Sequence, residues 1–207
     1  MGLPVLILGE TGSGKSYSIK NFNVNEVGIF SVEKPFLPFK KDFKILKHAT
    51  YSDIEKVFKD PQLKTYIIDD SQYLLVNEMF DKAKDAGYGK FTDIALHFRN
   101  LIHYINHSMP DDVIVYIVMH EEETDFGGVK LKTIGKLLDQ KVCLEGMVTI
   151  ALRCMSDGRR HYFRTQSDGT DVSKSPEEMF DLEIDNDLKM VDETIREYWN
   201  LGGNSND

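Results

Sequence analysis

The stretch GETGSGKS, Gly9 to Ser16, constrains this chain more than any other feature of its sequence. It matches the pattern G-x-x-x-x-G-K-[ST] at every fixed position, and it follows the apolar run PVLIL at positions 4–8. Glycines let the backbone curl so that several N–H groups point at phosphate oxygens, with a helix N-terminus behind them. The motif therefore predicts a phosphate-binding loop between a buried strand and a helix.

Two side chains of this loop carry the chemistry that the motif needs. Lys15 supplies a mobile positive charge for the β- and γ-phosphates of a nucleoside triphosphate, and the Ser16 hydroxyl is a ligand for Mg²⁺. Tyr17 follows the motif and is a candidate nucleotide contact, although it could equally pack the first helix against the sheet. The sequence therefore predicts ATP or ADP and Mg²⁺ as ligands. The predicted nucleotide contacts are Gly9, Glu10, Thr11, Gly12, Ser13, Gly14, Lys15, Ser16 and Tyr17.

A carboxylate for the metal is predicted in the run Tyr66-Ile67-Ile68-Asp69-Asp70. In magnesium-dependent loops of this kind a second ligand usually follows an apolar strand. Asp69 comes directly after the apolar residues, so we predict that it holds Mg²⁺ together with Ser16. Asp70 either assists it in catalysis or caps the next helix.

Two further polar residues are predicted at strand ends close to the phosphates. Glu33 lies one residue past the predicted strand VGIFSV (27–32). Its carboxylate could polarise the attacking water, with Asp70 as the competing base, or it could pair with Lys34 in solvent. His120 follows VIVYIVM (113–119) and could hydrogen-bond the γ-phosphate, although a histidine at a strand end also has purely structural uses.

The rest of the chain alternates apolar runs with segments of helical period, which predicts an α/β fold with a mainly parallel twisted sheet flanked by helices. A third strand is predicted at 65–69, and Asp157-Gly158 predicts a C-terminal antiparallel hairpin between the flanking runs. Ser52 is the predicted N-cap of the helix at 51–59. The other helices are predicted from Gly14 onward and at 72–84, 92–108 and 188–199.

Length and composition predict a single domain over residues 1–200 and a disordered tail over 201–207. We expect a soluble, cytoplasmic protein with no membrane partner, because no apolar run approaches the roughly 20 residues of a membrane span. Cys143 and Cys154 lack metal-ligand spacing, as is typical of a reduced compartment. The net charge of −9 disfavours wholesale nucleic-acid binding, yet lysines recur at 34, 40, 41, 44 and 47, which leaves room for a local basic strip.

Taken in order, the phosphate-binding loop, Glu33, Asp69 and His120 resemble the core of RecA-like ATPases. The chain is similar to the phage-encoded, single-domain members of that group, which act beside single-strand-annealing and single-stranded-DNA-binding proteins in phage recombination. The likeness extends over most of the chain, including DLEIDNDLKMVDETIREYW (181–199). It implies ATP hydrolysis in the host cytoplasm, a strand ending in His120 between the other two phosphate-side strands, and a homo-oligomer in which neighbouring subunits complete each site.

The resemblance also implies two mobile loops that contact single-stranded DNA. They fall at KDAGYGKF (84–91) and EEETDFGGVKLK (121–132), each with glycine, an aromatic residue and lysine. The acidic run Glu121-Glu122-Glu123 departs from that expectation, because it repels phosphate.

Two alternatives to a DNA-dependent ATPase remain at this point. One is an ATPase that acts on a protein partner without DNA contact, which the acidic composition favours. The other is a nucleotide or small-molecule kinase, for which Arg159-Arg160 gives only weak support. A guanine-binding N-K-x-D motif does not occur in the sequence.

Overall fold

A computed structural model describes residues 1–87, 89–125, 127–134, 137–138 and 142–203. Their strands form a mixed, mostly parallel sheet with helices on both faces. The α/β class, the mainly parallel sheet and the flanking helices predicted from the sequence are therefore confirmed. Residues 204–207 of the predicted tail, and Tyr88 and Phe126 of the two predicted DNA loops, lie outside the described residues.

The sheet contains nine strands in the described ranges. They are β1 (Leu3–Gly9), β2 (Val27–Ser31), β3 (Ile45–Lys47), β4 (Thr65–Asp69), β5 (Ile114–Glu123), β6 (Val129–Leu131), β7 (Ile150–Ser156), β8 (His161–Arg164) and β9 (Glu183–Asp185). Their order is β3-β2-β4-β5-β1-β7-β8-β9, with β6 paired to β5. Strands from β3 to β7 in this order are parallel, whereas β7-β8, β8-β9 and β5-β6 are antiparallel.

Apolar side chains alternate between the two faces of the sheet, which gives a three-layer structure. Leu6 and Leu8 of β1 point into a core shared with helices α1 (Tyr51–Lys59), α2 (Gln72–Asp81) and α3 (Gly89–Ser108). Val5 and Ile7 point to the opposite core, which is covered by the helix α4 (Leu188–Tyr198) and a short helix at Ser16–Asn21. Because β1, β2, β4 and β5 are parallel, their carboxyl ends lie at the same edge of the sheet, and the predicted site lies at that edge.

The helix after the loop from Gly9 to Ser16 is a 3₁₀-helix over Ser16–Asn21. The Ser18 hydroxyl donates a hydrogen bond to the carbonyl oxygen of Lys15, three residues earlier, which suits this tighter helix. The predicted cap of α1 is also corrected: Thr50, rather than Ser52, accepts from the backbone N–H of Asp53, and the Asp53 carboxylate accepts from the Thr50 N–H in return.

The segment after His120 is not a simple loop. β5 continues through the acidic run to Glu123 and pairs with β6, so most of the predicted 121–132 loop is an antiparallel hairpin. An ion pair explains why this acidic run remains extended. Glu121 accepts two hydrogen bonds from Arg153 of β7, at 2.7 and 2.9 Å, and its side chain is 4% exposed.

A buried polar cluster anchors α4 to the sheet. Asp192 is 3% exposed and accepts hydrogen bonds from Thr65 (3.1 Å) and Tyr116 (3.2 Å). Arg196 pairs with Asp192 at 2.7 Å and also donates to the carbonyl oxygens of Asp112 and Lys64. Because α4 also packs on the 3₁₀-helix, this cluster stabilises the layer directly behind the loop from Gly9 to Ser16.

Replacing Asp192 by alanine is expected to lower the free energy of unfolding by about 3 kcal/mol, because Arg196 and the buried hydroxyls of Tyr116 and Thr65 lose their acceptor. Chemical denaturation followed by circular dichroism measures this change. The control is Glu193→Ala, one residue further along α4, where the carboxylate is 65% exposed. Equal stability of the two variants would contradict a structural role for Asp192.

Candidate nucleotide-binding site

The loop from Gly9 to Ser16 joins β1 to the 3₁₀-helix at the carboxyl edge of the sheet. Gly12 and Gly14 have φ angles of 82° and 102°, a left-handed conformation that a residue with a side chain rarely adopts. A Cβ atom at Gly14 would also lie 2.7 Å from Asn186 Nδ2 and 2.9 Å from the ring of His161. Two glycines of the motif are thus required by the backbone of the loop.

The Lys15 side chain folds back into the loop and is 6% exposed. Its ammonium group donates to the carbonyl oxygens of Gly9 and Glu10, both at 2.7 Å. Burial lowers the pKa of Lys15, although Cys154, Asp70 and Asp69 act in the opposite direction. The loop therefore encloses a cation that donates its hydrogen bonds to neutral carbonyl groups, and a bound anion would stabilise it further.

Ser16 and Asp69 meet although 53 positions separate them in the sequence. The Ser16 hydroxyl donates to Asp69 Oδ1 at 3.0 Å, and Asp69 ends β4 with 2% exposure. Burial, followed by the nearby charge of Asp70, raises the pKa of Asp69 to about 6. The Asp69 carboxylate is therefore destabilised as an anion, and a cation beside it would favour its ionised form.

These two oxygen donors fit Mg²⁺, which usually takes one or two protein ligands and completes its shell with phosphate and water oxygens. Within the described ranges, no group of three or more His, Cys, Asp or Glu residues could hold a metal ion. A metal at Ser16 and Asp69 would accordingly take its remaining ligands from a bound nucleotide and from water.

Asp70 faces the same cavity and does not cap α2. The N-cap position of α2 belongs to Ser71, which makes no side-chain capping bond. Asp70 has a left-handed φ of 57°, and its carboxylate pairs with Lys34 Nζ at 2.9 Å and lies 3.4 Å from His120 Nε2. Burial raises the pKa of Asp70, but hydrogen bonds from His120 and Lys34 outweigh it and lower the pKa below its usual value. Asp70 is therefore held as an anion.

His120 connects Asp70 to the phosphate-binding loop. An ionised carboxylate only accepts hydrogen bonds, so Nε2 of His120 carries the proton that it donates to Asp70. Nδ1 of the same ring makes a hydrogen bond with the Thr11 hydroxyl, 3.3 Å away. The backbone N–H of His120 also donates to Gln72 of α2 at 3.2 Å. A hydrogen-bonded chain therefore runs from Thr11 through His120 and Asp70 to Lys34.

These groups surround a cavity of about 360 Å³. The predicted site residues that line it are Thr11, Gly12, Gly14, Lys15, Ser16, Tyr17, Asp69, Asp70 and His120. Gly9 and Glu10 contribute through the carbonyl groups that hold Lys15. Ser13 is turned away, and its carbonyl oxygen accepts from Cys154 and His161.

Glu33 is the exception among the predicted catalytic residues. Its side chain is exposed and does not line the cavity, whereas the next residue, Lys34, does. Lys34 pairs with Asp70 and not with Glu33. A catalytic role for Glu33 stays a prediction, and the structure adds Lys34 as a cation at the cavity wall, a position that the sequence did not predict for it.

The sequence also gave no sign of two residues from the C-terminal part of the chain. His161 of β8 donates from Nδ1 to the Ser13 carbonyl at 2.7 Å, and Asn186 donates to the Gly14 carbonyl at 3.1 Å. His161 also lines the cavity. Both residues stand well over a hundred positions from the loop, and no motif marks them, so only the fold reveals that they support it.

No family model and no curated protein sequence matches the chain. Among the helices of the described residues, none has the length and apolar character that a membrane crossing requires.

Proposed function

We propose that this chain is a magnesium-dependent ATPase of RecA-like type that acts on or beside single-stranded DNA. The observation that carries the proposal is the contact between Ser16 and Asp69 at the mouth of a loop that buries Lys15. A glycine turn without function would have no need of a buried lysine, or of a hydroxyl–carboxylate pair at the neighbouring strand end.

The residues of the loop have separable tasks in this proposal. Backbone N–H groups of the loop bind phosphate oxygens, and Lys15 exchanges its bonds to Gly9 and Glu10 for bonds to the β- and γ-phosphates. Ser16 and Asp69 hold Mg²⁺, which neutralises charge that develops on the phosphate oxygens. Tyr17 is 40% exposed at the rim of the cavity, where it can contact the nucleoside.

The order of the strands supports the RecA-like assignment. β5, which carries His120, lies between β1 and β4, as the resemblance implies. This arrangement brings His120 beside both the loop and Asp70, so a change at the γ-phosphate can alter the bond between Thr11 and His120. A phage origin, cytoplasmic location, homo-oligomeric assembly and an annealing or single-stranded-DNA-binding protein as partner remain parts of the proposal that rest on the resemblance alone.

We assign the attacking water to Asp70 in preference to Glu33. Asp70 lies inside the cavity and is held as an anion, so it can accept a hydrogen bond from water. His120 and Lys34 fix its orientation. Glu33 would have to turn in from the exposed surface to do the same.

Asp70→Asn is expected to lower the rate of ATP hydrolysis by about 10²-fold, the usual effect of losing a positioned base, while ATP affinity changes little. Glu33→Gln is the matched control and should keep near-normal turnover. Nucleotide affinity from calorimetry and turnover from phosphate release separate the two effects. If Glu33→Gln loses turnover and Asp70→Asn keeps it, the assignment of the base is reversed.

The DNA part of the proposal is tested by measuring hydrolysis with and without single-stranded DNA at about 50 and about 200 mM salt. Stimulation that declines with salt supports DNA as the effector, because phosphate contacts are screened. Hydrolysis that DNA leaves unchanged at both salt concentrations would favour a protein partner, in agreement with the net charge of −9.

A further inference from the structure

The connection between β2 and β3 has a composition unlike the rest of this acidic chain. Residues 34–47, KPFLPFKKDFKILK, contain five lysines, three phenylalanines and a single acidic residue. We refer to these residues as the basic aromatic surface. Lys34, Phe36 and Pro38 line the nucleotide cavity, and most residues from Pro35 to Lys47, Lys40 among them but not Lys44, border a second cavity that shares Phe36. The basic aromatic surface therefore begins at the candidate active site and extends outward from it.

Phe36 is an unusual feature of this surface, because its side chain is 77% exposed. The Nζ atom of Lys47 lies 4.6 Å from the centre of the Phe36 ring. Phe39 and Phe43, by contrast, are partly or fully buried and make edge-to-face contacts, with Phe39 also touching Tyr17. The inner aromatic residues thus support the surface, while Phe36 presents a ring to solvent.

The lysines of the surface divide in the same way. Lys41 donates to the carbonyl oxygens of Lys20 and Phe22, which fixes the segment against the loop after the 3₁₀-helix. Lys40 and Lys44 are exposed, and neither forms an ion pair with any residue in the described part of the chain. Two cations and an exposed ring are therefore available to an external ligand.

The two loops that the resemblance assigns to DNA are less suitable. In the hairpin of β5 and β6, Lys130 pairs with Glu122 and the hairpin carries three consecutive glutamates. In the first turn of α3, Lys90 donates back to the carbonyl oxygens of Lys82, Ala83 and Asp85 in the segment before the helix. Both loops use lysines to hold their own structure.

We propose that the basic aromatic surface binds single-stranded nucleic acid, with Lys40 and Lys44 at phosphates and Phe36 stacked on a base. Proteins that bind single strands combine lysines with exposed aromatic rings. Unpaired bases stack on the rings, and the backbone phosphates pair with the lysines. A duplex hides those faces and leaves Phe36 without a partner. The inference rests on the proposed function for its biological meaning, and it places the strand next to the nucleotide cavity.

Binding is measured without nucleotide, by fluorescence anisotropy of a labelled oligothymidylate of about 30 nucleotides. This measurement is independent of hydrolysis, so failure of the ATPase proposal and failure of this inference are distinguishable. We expect Lys40→Glu/Lys44→Glu to weaken binding about tenfold or more and to reduce the slope of log affinity against log salt by about 1.4. Phe36→Ala should weaken it about 5- to 100-fold, the range for one lost stacked base.

Three control variants test whether the loss of oligothymidylate binding is specific to the basic aromatic surface. Lys56→Glu/Lys59→Glu on α1 changes the charge equally at exposed positions away from this surface, and Phe80→Ala removes a ring that is 68% exposed on α2. Lys84→Glu/Lys90→Glu tests the loop that the resemblance implies. We expect none of these controls to change the affinity for the oligothymidylate by more than about twofold. The α1 variant measures the part of any change that comes from the altered net charge alone. Thermal unfolding verifies that each variant is folded.

The inference is overturned if the unaltered chain does not bind the oligothymidylate, or if the loss follows Lys84 and Lys90 instead. It is also overturned if binding of an acidic peptide, and not of the oligothymidylate, depends on Lys40 and Lys44, because the surface would then serve a protein. A matching oligouridylate distinguishes DNA from RNA as the bound strand. Loss of binding to either strand in the Lys40/Lys44 and Phe36 variants supports the proposal.

Discussion

Lys15→Ala is expected to lower ATP hydrolysis by about 10³-fold or more and to weaken triphosphate binding strongly. Lys15 is the cation that the loop encloses, and its ammonium group is already directed inward by the carbonyl groups of Gly9 and Glu10. Alanine leaves nothing at that position to neutralise the transferred phosphoryl group. Phosphate release and nucleotide calorimetry measure the two effects.

Lys20→Ala is the control for that experiment. Lys20 lies five residues further along, is exposed and does not itself line the cavity, although it donates to the hydroxyl of Tyr17 at the cavity rim at 2.8 Å. The control should retain near-normal turnover. Hydrolysis by Lys15→Ala at the rate of the unaltered chain would mean that this loop is not the catalytic one.

Asp69→Asn is expected to have opposite effects on activity and on stability. Magnesium-dependent hydrolysis should fall by about 10³-fold, because the carboxylate that we propose as a ligand of the metal beside Ser16 is lost. The metal-free protein should become more stable near neutral pH by about 3 kcal/mol, since the native state no longer carries a buried, destabilised anion.

The sign of the stability effect follows from the pKa. Asp69 has a pKa of about 6 in the folded chain, above its ordinary value of 3.8, so ionisation costs stability as the pH rises through this interval. The advantage of Asp69→Asn should therefore be absent below about pH 4 and complete above about pH 6. Thermal unfolding in chelator at a series of pH values measures it. An Asp69→Asn protein that is less stable at neutral pH, or that keeps its magnesium-dependent activity, would contradict the account.

Much of the site could be predicted because its residues stand at the ends of apolar strands. The runs at 4–8, 65–69 and 113–119 are buried strands that bring the phosphate-binding loop, Asp69 and His120 to one edge. Each run is a short, continuously apolar stretch of high β-propensity bounded by polar residues, which specifies the strand, although β5 continues beyond its predicted end to Glu123.

Side-chain direction beyond a strand end was not predictable in the same way. Whether Glu33 or Lys34 faces the cavity depends on the turn after β2, which the Ser31 hydroxyl fixes by donating to the Lys34 carbonyl oxygen. The hairpin after His120 depends on Arg153, which is more than thirty positions away and neutralises Glu121. His161 and Asn186 likewise reach the loop only through long-range strand pairing. Local patterns carry no information about such partners.

The central claim is that this cavity hydrolyses ATP with the help of Mg²⁺. The most direct measurement is phosphate release by the unaltered chain in the presence of ATP, with Mg²⁺ or with an excess of chelator, beside Lys15→Ala. The account predicts turnover that requires Mg²⁺ and disappears both in chelator and in the Lys15 variant. Turnover that persists in chelator or in Lys15→Ala, or no detectable ATP binding by the unaltered chain with Mg²⁺ present, would contradict it.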